Sequence, residues 1–288
     1  MKSKLIKLIR KYLQHLRDKK ISIAGSSFAH LIIWTKSPGY ARLKILSGYK
    51  HKEKLLKIFL RNLICRYSEK NFQISKNSLT EFNSIFISWS YKDCFKKNIY
   101  SDKYFGLNNQ ITKKFVWVLF PVDGFVPKKI PNNLIIINLK KNSIFLSILN
   151  SIKFIFTQLI KYRFSFSKSF HYIFSDHHTA LIQMKTLEKS IDLEKIKKVV
   201  LPYEAQIFQK ILIEKIKKKD DKSKIYGYLH SSLPALPSEY IYEKDLSPDK
   251  VFYHGKSYDK ILHKKLFWPR SKLKLIKSFR YNLFQSKK

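Results

Sequence analysis

The segment "VVLPYEAQIFQKILIEKIKKKDDKSKIYGYLHSS", residues 199–232, decides the fold of this chain. It opens with a short apolar run rich in β-branched residues and closes with a second apolar run, "KIYGYL". Between the two runs, the apolar residues recur at helical spacing and share one face: Ile207, Phe208, Ile211, Leu212 and Ile216. A strand, a helix and a strand in this order form a βαβ unit, which predicts that the two strands are parallel.

The same alternation of strand and helix patterns continues on both sides of this segment. The further predicted strands are 83–90, 113–123, 132–141 and 247–255. The further predicted helices are 53–70, 142–166, 175–190 and 257–267. We therefore predict an α/β fold with a Rossmann-like, mainly parallel sheet that helices flank.

Two apolar segments raise the question of a membrane. In residues 1–20, the apolar residues fall on one helical face, which fits either a helix on a membrane surface or a terminal helix packed on the domain. No continuous apolar core of a signal peptide is present there. The helix at 142–166 is apolar, but Lys153 and several polar residues interrupt it, so a buried or interface-seeking helix fits better than a membrane span.

The chain carries a formal net charge of +38, from 58 Lys and Arg against 20 Asp and Glu. Such a charge raises nucleic-acid binding as a hypothesis. We rank it last, because the cations are mostly lysine, are spread along the chain and accompany no known nucleic-acid motif. The charge does predict attraction to anions, including phosphorylated ligands and acidic membranes.

Cysteine and histidine usage bears on location and on metals. The two cysteines, Cys65 and Cys94, have no metal-ligand spacing, and a reduced cytoplasmic protein is the simplest interpretation. Peripheral attachment to the inner face of the cytoplasmic membrane is a second expectation, from the basic amphipathic N-terminus. His177 and His178 are consecutive on a predicted helix, about 100° apart, so they predict no metal site.

Polar residues follow three of the predicted strands. Glu204 follows the first strand of the opening segment, His230 follows the second, and His254 and Gly255 follow the next. Parallel strands deliver their carboxyl ends to one edge of a sheet, where ligands gather, and a carboxylate or a neutral imidazole can accept a proton there. Each residue also has a simpler interpretation: Glu204 favours a helix N-terminus, and His230 hydrogen-bonds its own loop.

Three aspartates are weaker candidates for the same edge. Asp93, Asp102 and Asp123 each follow a strand-like segment. The sequence does not favour one of them over another.

Four segments in order resemble bacterial surface-carbohydrate glycosyltransferases of the capsule or O-antigen type. They are "LPYEAQIFQKILI", "KIYGYLHSSLPALPS", "SPDKVFYHGKSYDKIL" and "WPRSKLKLIKSFRY", and they cover about the last third of the chain. The matching positions are Tyr203, Glu204, Gln206, Gly227, Tyr228, His230, Ser231, Pro248, Asp249, Gly255, Arg280 and Tyr281. The resemblance implies a GT-B-like architecture, in which two Rossmann-like halves bind acceptor and donor.

The resemblance also implies roles for individual residues. Glu204 or His230 would be the base for the acceptor, Gly255 would allow close backbone approach, and Arg280 would meet phosphate. The other implied substrate contacts are Tyr203, Gln206, Ser231 and His254. No cofactor and no metal are implied; the donor substrate is a nucleotide-sugar, and the acceptor is a glycan or a lipid-linked glycan.

The chain departs from this family after Arg280, where the donor-binding half should begin. We expect a domain at 21–260, after the helix of residues 1–20, and a linker with a basic tail at 261–288. The first function hypothesis is a glycosyltransferase of polysaccharide synthesis. The second is a non-catalytic half that binds an acceptor or a partner, including a separate donor-domain protein. Nucleic-acid binding is the third.

Overall fold

The computed structural model describes residues 4–11, 22–23, 26–27, 67–76, 82–162, 177–219, 222–231, 233 and 238–279. Eight strands form one sheet. They are β1 (Tyr67–Lys76), β2 (Ser84–Ser90), β3 (Val116–Pro121), β4 (Leu134–Lys141), β5 (Lys198–Pro202), β6 (Lys224–Leu229), β7 (Lys250–Tyr253) and β8 (Leu273–Leu275). Their order across the sheet is β8-β7-β6-β5-β2-β3-β4-β1.

The strands from β2 to β8 run parallel, and β1 alone pairs antiparallel, with β4 at one edge of the sheet. The chain winds outward from β2 to β4, returns to β5 beside β2, and winds outward again to β8. This is a Rossmann-like winding. The predicted α/β fold with a mainly parallel sheet is therefore confirmed.

The helices are α1 (residues 4–11), α2 (Ile144–Tyr162), α3 (His177–Ser190), α4 (Ile207–Lys219) and α5 (Lys256–Asp259). A π-helical turn at Lys260–Lys265 continues α5. Among the helices that the structure describes, none has both the length and the apolar content to cross a bilayer.

One face of the sheet packs against helices. The central strands are apolar on both faces, as strands of a parallel sheet usually are, and so both faces need a cover. The main core lies on the face that the helices cover. It includes Met184 and Leu187 of α3 and a row of residues on α4. Leu5 and Ile9 of α1 join it as well, with no exposed surface, so residues 4–11 pack on the domain.

The opposite face is covered by the aromatic segment 91–115. Phe86 of β2 stacks on Trp117 of β3, with ring centroids 4.4 Å apart. Tyr100 and Phe105 from the covering segment meet Trp117 edge-on. The two small hairpin strands Phe95–Lys96 and Ile99–Tyr100 stiffen this cover.

Two predictions need correction, one at an edge strand of the sheet and one at the end of the domain. The helix predicted over 53–70 is wrong for residues 67–70, which begin β1, because pairing with β4 overrides their helical spacing. Residues 53–66 lie outside the described residues. The domain also extends past residue 260, since Leu262, Leu266 and Trp268 are buried in the core and β8 pairs with β7.

Candidate functional site

The winding of the sheet reverses between β2 and β5, its two central strands. The ladder between them joins Ser84–Phe86 to Lys198–Val200 and stops there, so the last residues of β2 are not paired with β5. In open parallel sheets, ligands bind in the crevice outside the carboxyl ends of the strands at such a reversal. We therefore expect a ligand site among the residues that follow β2 and β5.

Glu204 and His230 meet at the carboxyl ends of β5 and β6. β5 and β6 are in register at Pro202 and Tyr228, which places Glu204 and His230 in one row, two residues farther along. Nε2 of His230 lies 3.3 Å from Oε1 of Glu204. The structure thus brings together the two residues that the sequence singled out as candidate bases.

Exposure distinguishes the two side chains. The Glu204 side chain is 31% exposed, whereas that of His230 is 6% exposed. The carboxylate is therefore the member of the pair that a ligand can reach, and the imidazole lies behind it.

The turn that carries Glu204 is held by Gln209, a buried residue of α4. Its Oε1 accepts hydrogen bonds from the backbone N–H groups of Glu204 (3.0 Å) and Gln206 (3.3 Å), and its Nε2 donates to the carbonyl of Pro202 at 2.6 Å. Ala205 has a φ of 54°, which turns the chain sharply before the helix begins. These contacts fix the position of the Glu204 backbone.

The sequence analysis did not predict a role for Gln209, although its position in the chain indicates one. It is the third residue of α4, the place where Glu or Gln bonds back to the N-cap N–H in a capping box. Gln206, predicted to contact substrate, instead donates its amide to Oε2 of Glu204. Both oxygens of the carboxylate therefore have a neighbouring polar side chain that orients them.

His230 is held by an aromatic ring. The Tyr104 ring meets the imidazole edge-to-face, with centroids 4.5 Å apart. Nδ1 of His230 is buried and has no hydrogen-bond partner among the described residues. Burial raises the pKa of Tyr104, and the neighbouring Tyr91 side chain and the Glu204 charge act in the same direction. The Tyr104 phenol is therefore neutral at physiological pH.

A buried carboxylate, Asp102, positions the Tyr104 loop. It accepts hydrogen bonds from Ser88 Oγ (2.5 Å), Tyr100 OH (2.7 Å) and the backbone N–H groups of Tyr104 (2.8 Å) and Phe105 (2.7 Å). Burial raises the pKa of Asp102, and these hydrogen bonds partly offset that rise. Asp102 therefore ties the loop to β2 and does not line the crevice.

The other two aspartates lie on the adjoining surface. Asp93 pairs with Lys103 at 2.6 Å, and both side chains are exposed. Burial acts to raise the pKa of Asp123, but backbone hydrogen bonds from Lys92 and Phe125 lower it overall. These residues line a cleft of about 580 Å³ together with aromatic side chains. Its lining is Tyr91, Lys92, Asp93, Phe95, Lys103, Asp123 and Phe125.

His254 continues the row of Glu204 and His230. β6 and β7 are in register at Leu229 and Tyr253, so His254 lies beside His230 at the ends of adjacent strands. Its Nδ1 is buried, and in the described chain that atom has no hydrogen-bond partner. The structure thus places three of the predicted residues along one edge.

The remaining predicted residues have different positions. Tyr203 is 1% exposed and packs edge-on against Tyr240 and Trp268 in the helix-side core, because successive residues of a strand face opposite sides. It is not a ligand contact in the crevice. Ser231 is exposed beside His230. Arg280, predicted to meet phosphate, lies outside the described residues.

Gly255 was predicted to allow close backbone approach. Its φ is 91°, and a Cβ added there would meet no atom within 4 Å. Within this chain, the glycine is therefore required by its backbone conformation and not by crowding.

Metal binding gains no support from the geometry. In the part of the chain that the structure describes, no three His, Cys, Asp or Glu side chains are grouped so that they could hold a metal ion. The chemistry of the site is that of a carboxylate, imidazoles and tyrosines.

No family model, no curated protein and no solved structure matches this chain. The site's geometry therefore carries the functional argument, and the resemblance of four segments stands beside it.

Proposed function

We propose that the protein is a glycosyltransferase of bacterial surface polysaccharide synthesis, which moves a sugar from a nucleotide-sugar to a glycan or lipid-linked acceptor. The contact between Glu204 and His230, at the ends of β5 and β6 beside the reversal of the sheet, is the observation that carries the proposal. The four segments that resemble such enzymes supply the reaction class. Both lines of support converge on the same two residues.

Glu204 is the general base in this proposal. Transfer of a sugar to a hydroxyl group requires removal of the hydroxyl proton, which a positioned carboxylate can accept. The Glu204 carboxylate is partly exposed, and Gln206 and His230 contact its two oxygens. The preorganised position lowers the entropic cost of aligning base and acceptor.

His230 is a positioning residue. Its imidazole is buried behind the carboxylate, and the contact of Nε2 with Oε1 of Glu204, at 3.3 Å, holds the carboxylate in place. His230 therefore affects the rate of transfer through the position of the carboxylate.

The cleft lined by Tyr91, Phe95 and Phe125 provides room for a sugar ring, and these aromatic side chains supply the surface for it. The charges of its two lysines, Lys92 and Lys103, are balanced by those of Asp93 and Asp123. The sugar of an acceptor matches this composition.

The test measures transfer of radiolabelled sugar from UDP- and GDP-linked donors to a lipid-linked glycan acceptor by the full chain. Glu204→Gln keeps the size of the side chain and removes the base, so transfer should fall by about a hundredfold or more. His230→Gln should lower the rate less, because the glutamine amide can still donate to the carboxylate. The matched control is Glu194→Gln, because Glu194 is an exposed glutamate whose side chain is 79% accessible, just before the opposite end of β5.

Two outcomes would contradict the proposal. If the wild-type chain transfers sugar from none of the donors, yet binds the acceptor, the non-catalytic binding hypothesis is favoured. If Glu204→Gln and Glu194→Gln transfer sugar equally well, Glu204 is not the base.

A further inference from the structure

Helix α2 presents large apolar side chains to the surface. Eight of them are between 36% and 78% exposed: Ile144, Phe145, Leu146, Ile148, Leu149, Ile152, Phe156 and Ile160. The small polar residues Ser147 and Ser151 are instead buried, at 0% and 2% exposed. This arrangement is the reverse of an ordinary surface helix, which turns its apolar stripe inward.

The exposed apolar residues form one continuous surface. At about 100° per residue, six of them occupy the half of the helix opposite Ser147 and Ser151, and Ile144 and Ile148 extend this surface toward Ser151. Contiguous apolar surface of this kind marks a site of interaction, whereas single exposed apolar residues need no explanation.

The charge around α2 indicates what covers this surface. Residues 124–175 contain no acidic residue, although eight cations lie there: Lys128, Lys129, Lys140, Lys141, Lys153, Lys161, Arg163 and Lys168. Lys140 and Lys141 are exposed immediately before the helix, and Lys153 is exposed within it. By helical angle, Lys153 lies within the exposed half, between Leu146 and Ile160, where a long lysine side chain can reach up to the headgroups. An apolar helical face with basic residues in it and just before it is typical of helices that lie in the headgroup region of anionic bilayers.

We propose that α2 docks the protein on the surface of an anionic lipid bilayer. The helix lies in the plane of the interface along its length of roughly 28 Å, since each residue adds about 1.5 Å. Its apolar half enters the boundary of the acyl chains, while lysines meet the lipid phosphates. The inference depends on α2 alone and stands whether or not the protein transfers sugar.

The location of α2 has a consequence for the candidate site. β4 ends at Lys141 and α2 begins at Ile144, so the start of the helix lies at the same sheet edge as Glu204 and His230. A bilayer bound there would lie near the edge at which a lipid-linked acceptor reacts. This last point rests on the proposed function.

The experiment measures co-sedimentation of the full chain with vesicles of phosphatidylcholine, with and without phosphatidylglycerol. The double variant Phe145→Asp/Phe156→Asp changes two side chains that are 70% and 59% exposed, so the fold should be retained. Its matched control is Ile111→Asp/Leu275→Asp, which adds the same charge at side chains 73% and 46% exposed outside α2. Circular dichroism checks that all variants are folded.

We expect the wild-type chain and the control to bind vesicles that contain phosphatidylglycerol, and salt to weaken that binding. The α2 variant should bind at least about tenfold more weakly, because two aromatic side chains no longer enter the bilayer. The inference is overturned if the wild-type chain does not bind. It is also overturned if both double variants bind the vesicles alike, because charge alone would then attract the protein. A third contrary outcome is that α2 joins two copies of the chain instead of binding lipid.

Discussion

Gly227 shows how the lack of a side chain on β6 makes room for Tyr203, the residue before Glu204. A Cβ added there would lie 2.8 Å from Cβ of Tyr203 and 3.1 Å from Cγ of Pro248. Tyr203 immediately precedes Glu204, and its ring is locked in the core, so it has little freedom to move away. The absent side chain therefore leaves the space in which the side chains of Tyr203 and Pro248 pack against β6.

Replacing Gly227 should destabilise the protein in proportion to the size of the new side chain. We expect Gly227→Ala to lower the free energy of unfolding by about 1–3 kcal/mol, the usual cost of overpacking, and Gly227→Ser to lower it further. Urea unfolding followed by circular dichroism measures both. An alanine variant as stable as the wild-type chain would show that Tyr203 and Pro248 can give way.

At the same scale, the sequence predicted only part of the candidate site. Glu204 and His230 were found because each follows a strand, a relation that is written along the chain. The role of Gln206 was not predicted, because its amide turns toward Glu204 only in the sharp turn that Ala205 makes. Nor was Tyr104, which comes from a distant segment to meet His230.

Among the elements, α4, the helix that follows Glu204, carries a buried lysine. Lys210 is 2% exposed, and its Nζ donates a hydrogen bond to the backbone carbonyl of Glu239 at 2.7 Å. Burial lowers the pKa of Lys210 to about 7, while the charge of Glu239 acts to raise it. The helix therefore contains a group that loses its proton near neutral pH.

This lysine should make stability depend on pH. Unfolded, Lys210 keeps its proton up to about pH 10.5, so between pH 7 and that value the unfolded chain binds more protons. Its contribution to stability therefore rises with pH in this window, by at most about 1.4 kcal/mol per pH unit. Below pH 7 both states are protonated, and the cost of burying the charge is fully present.

The substitution Lys210→Met removes the free-energy cost of burying the lysine charge. Relative to the wild-type chain, the variant should be most stabilised at and below pH 7, and this difference should shrink toward pH 10. Urea unfolding at several pH values measures it, with Lys215→Met as the control, since Lys215 is a partly exposed lysine of the same helix. A difference that did not change with pH would show that Lys210 keeps its ordinary pKa.

The edge strands explain where prediction of elements failed. β1 and β8 are the outermost strands, and neither has the continuous apolar run that identified the central ones. Their conformation comes from pairing with β4 and β7. The central strands were predictable because burial on both faces leaves a strong apolar signal in the sequence.

For the whole molecule, the segment after residue 260 is part of the domain. Trp268 is 1% exposed, and its indole N–H donates to the carbonyl of Tyr240 at 2.7 Å. Leu262 and Leu266 have no exposed surface. This segment closes the helix-side core over Tyr203.

Truncation after Lys260 should therefore abolish cooperative unfolding. It removes three buried side chains and β8, each buried side chain costing about 2–5 kcal/mol, which together exceeds the stability of most domains. Thermal unfolding measures the effect. Truncation after Arg280 is the control and should leave a cooperative transition; a cooperative transition in the shorter chain would place the domain boundary near residue 260 after all.

By itself, the sequence determined the fold class and the edge at which the candidate site lies. Both depend on order along the chain: strands alternate with helices, and polar residues follow the strands. Only the tertiary structure decided that Glu204 faces the crevice while His230 lies behind it, and that Asp102 is a buried support. These facts depend on contacts between distant segments and on depth below the surface, neither of which a linear pattern records.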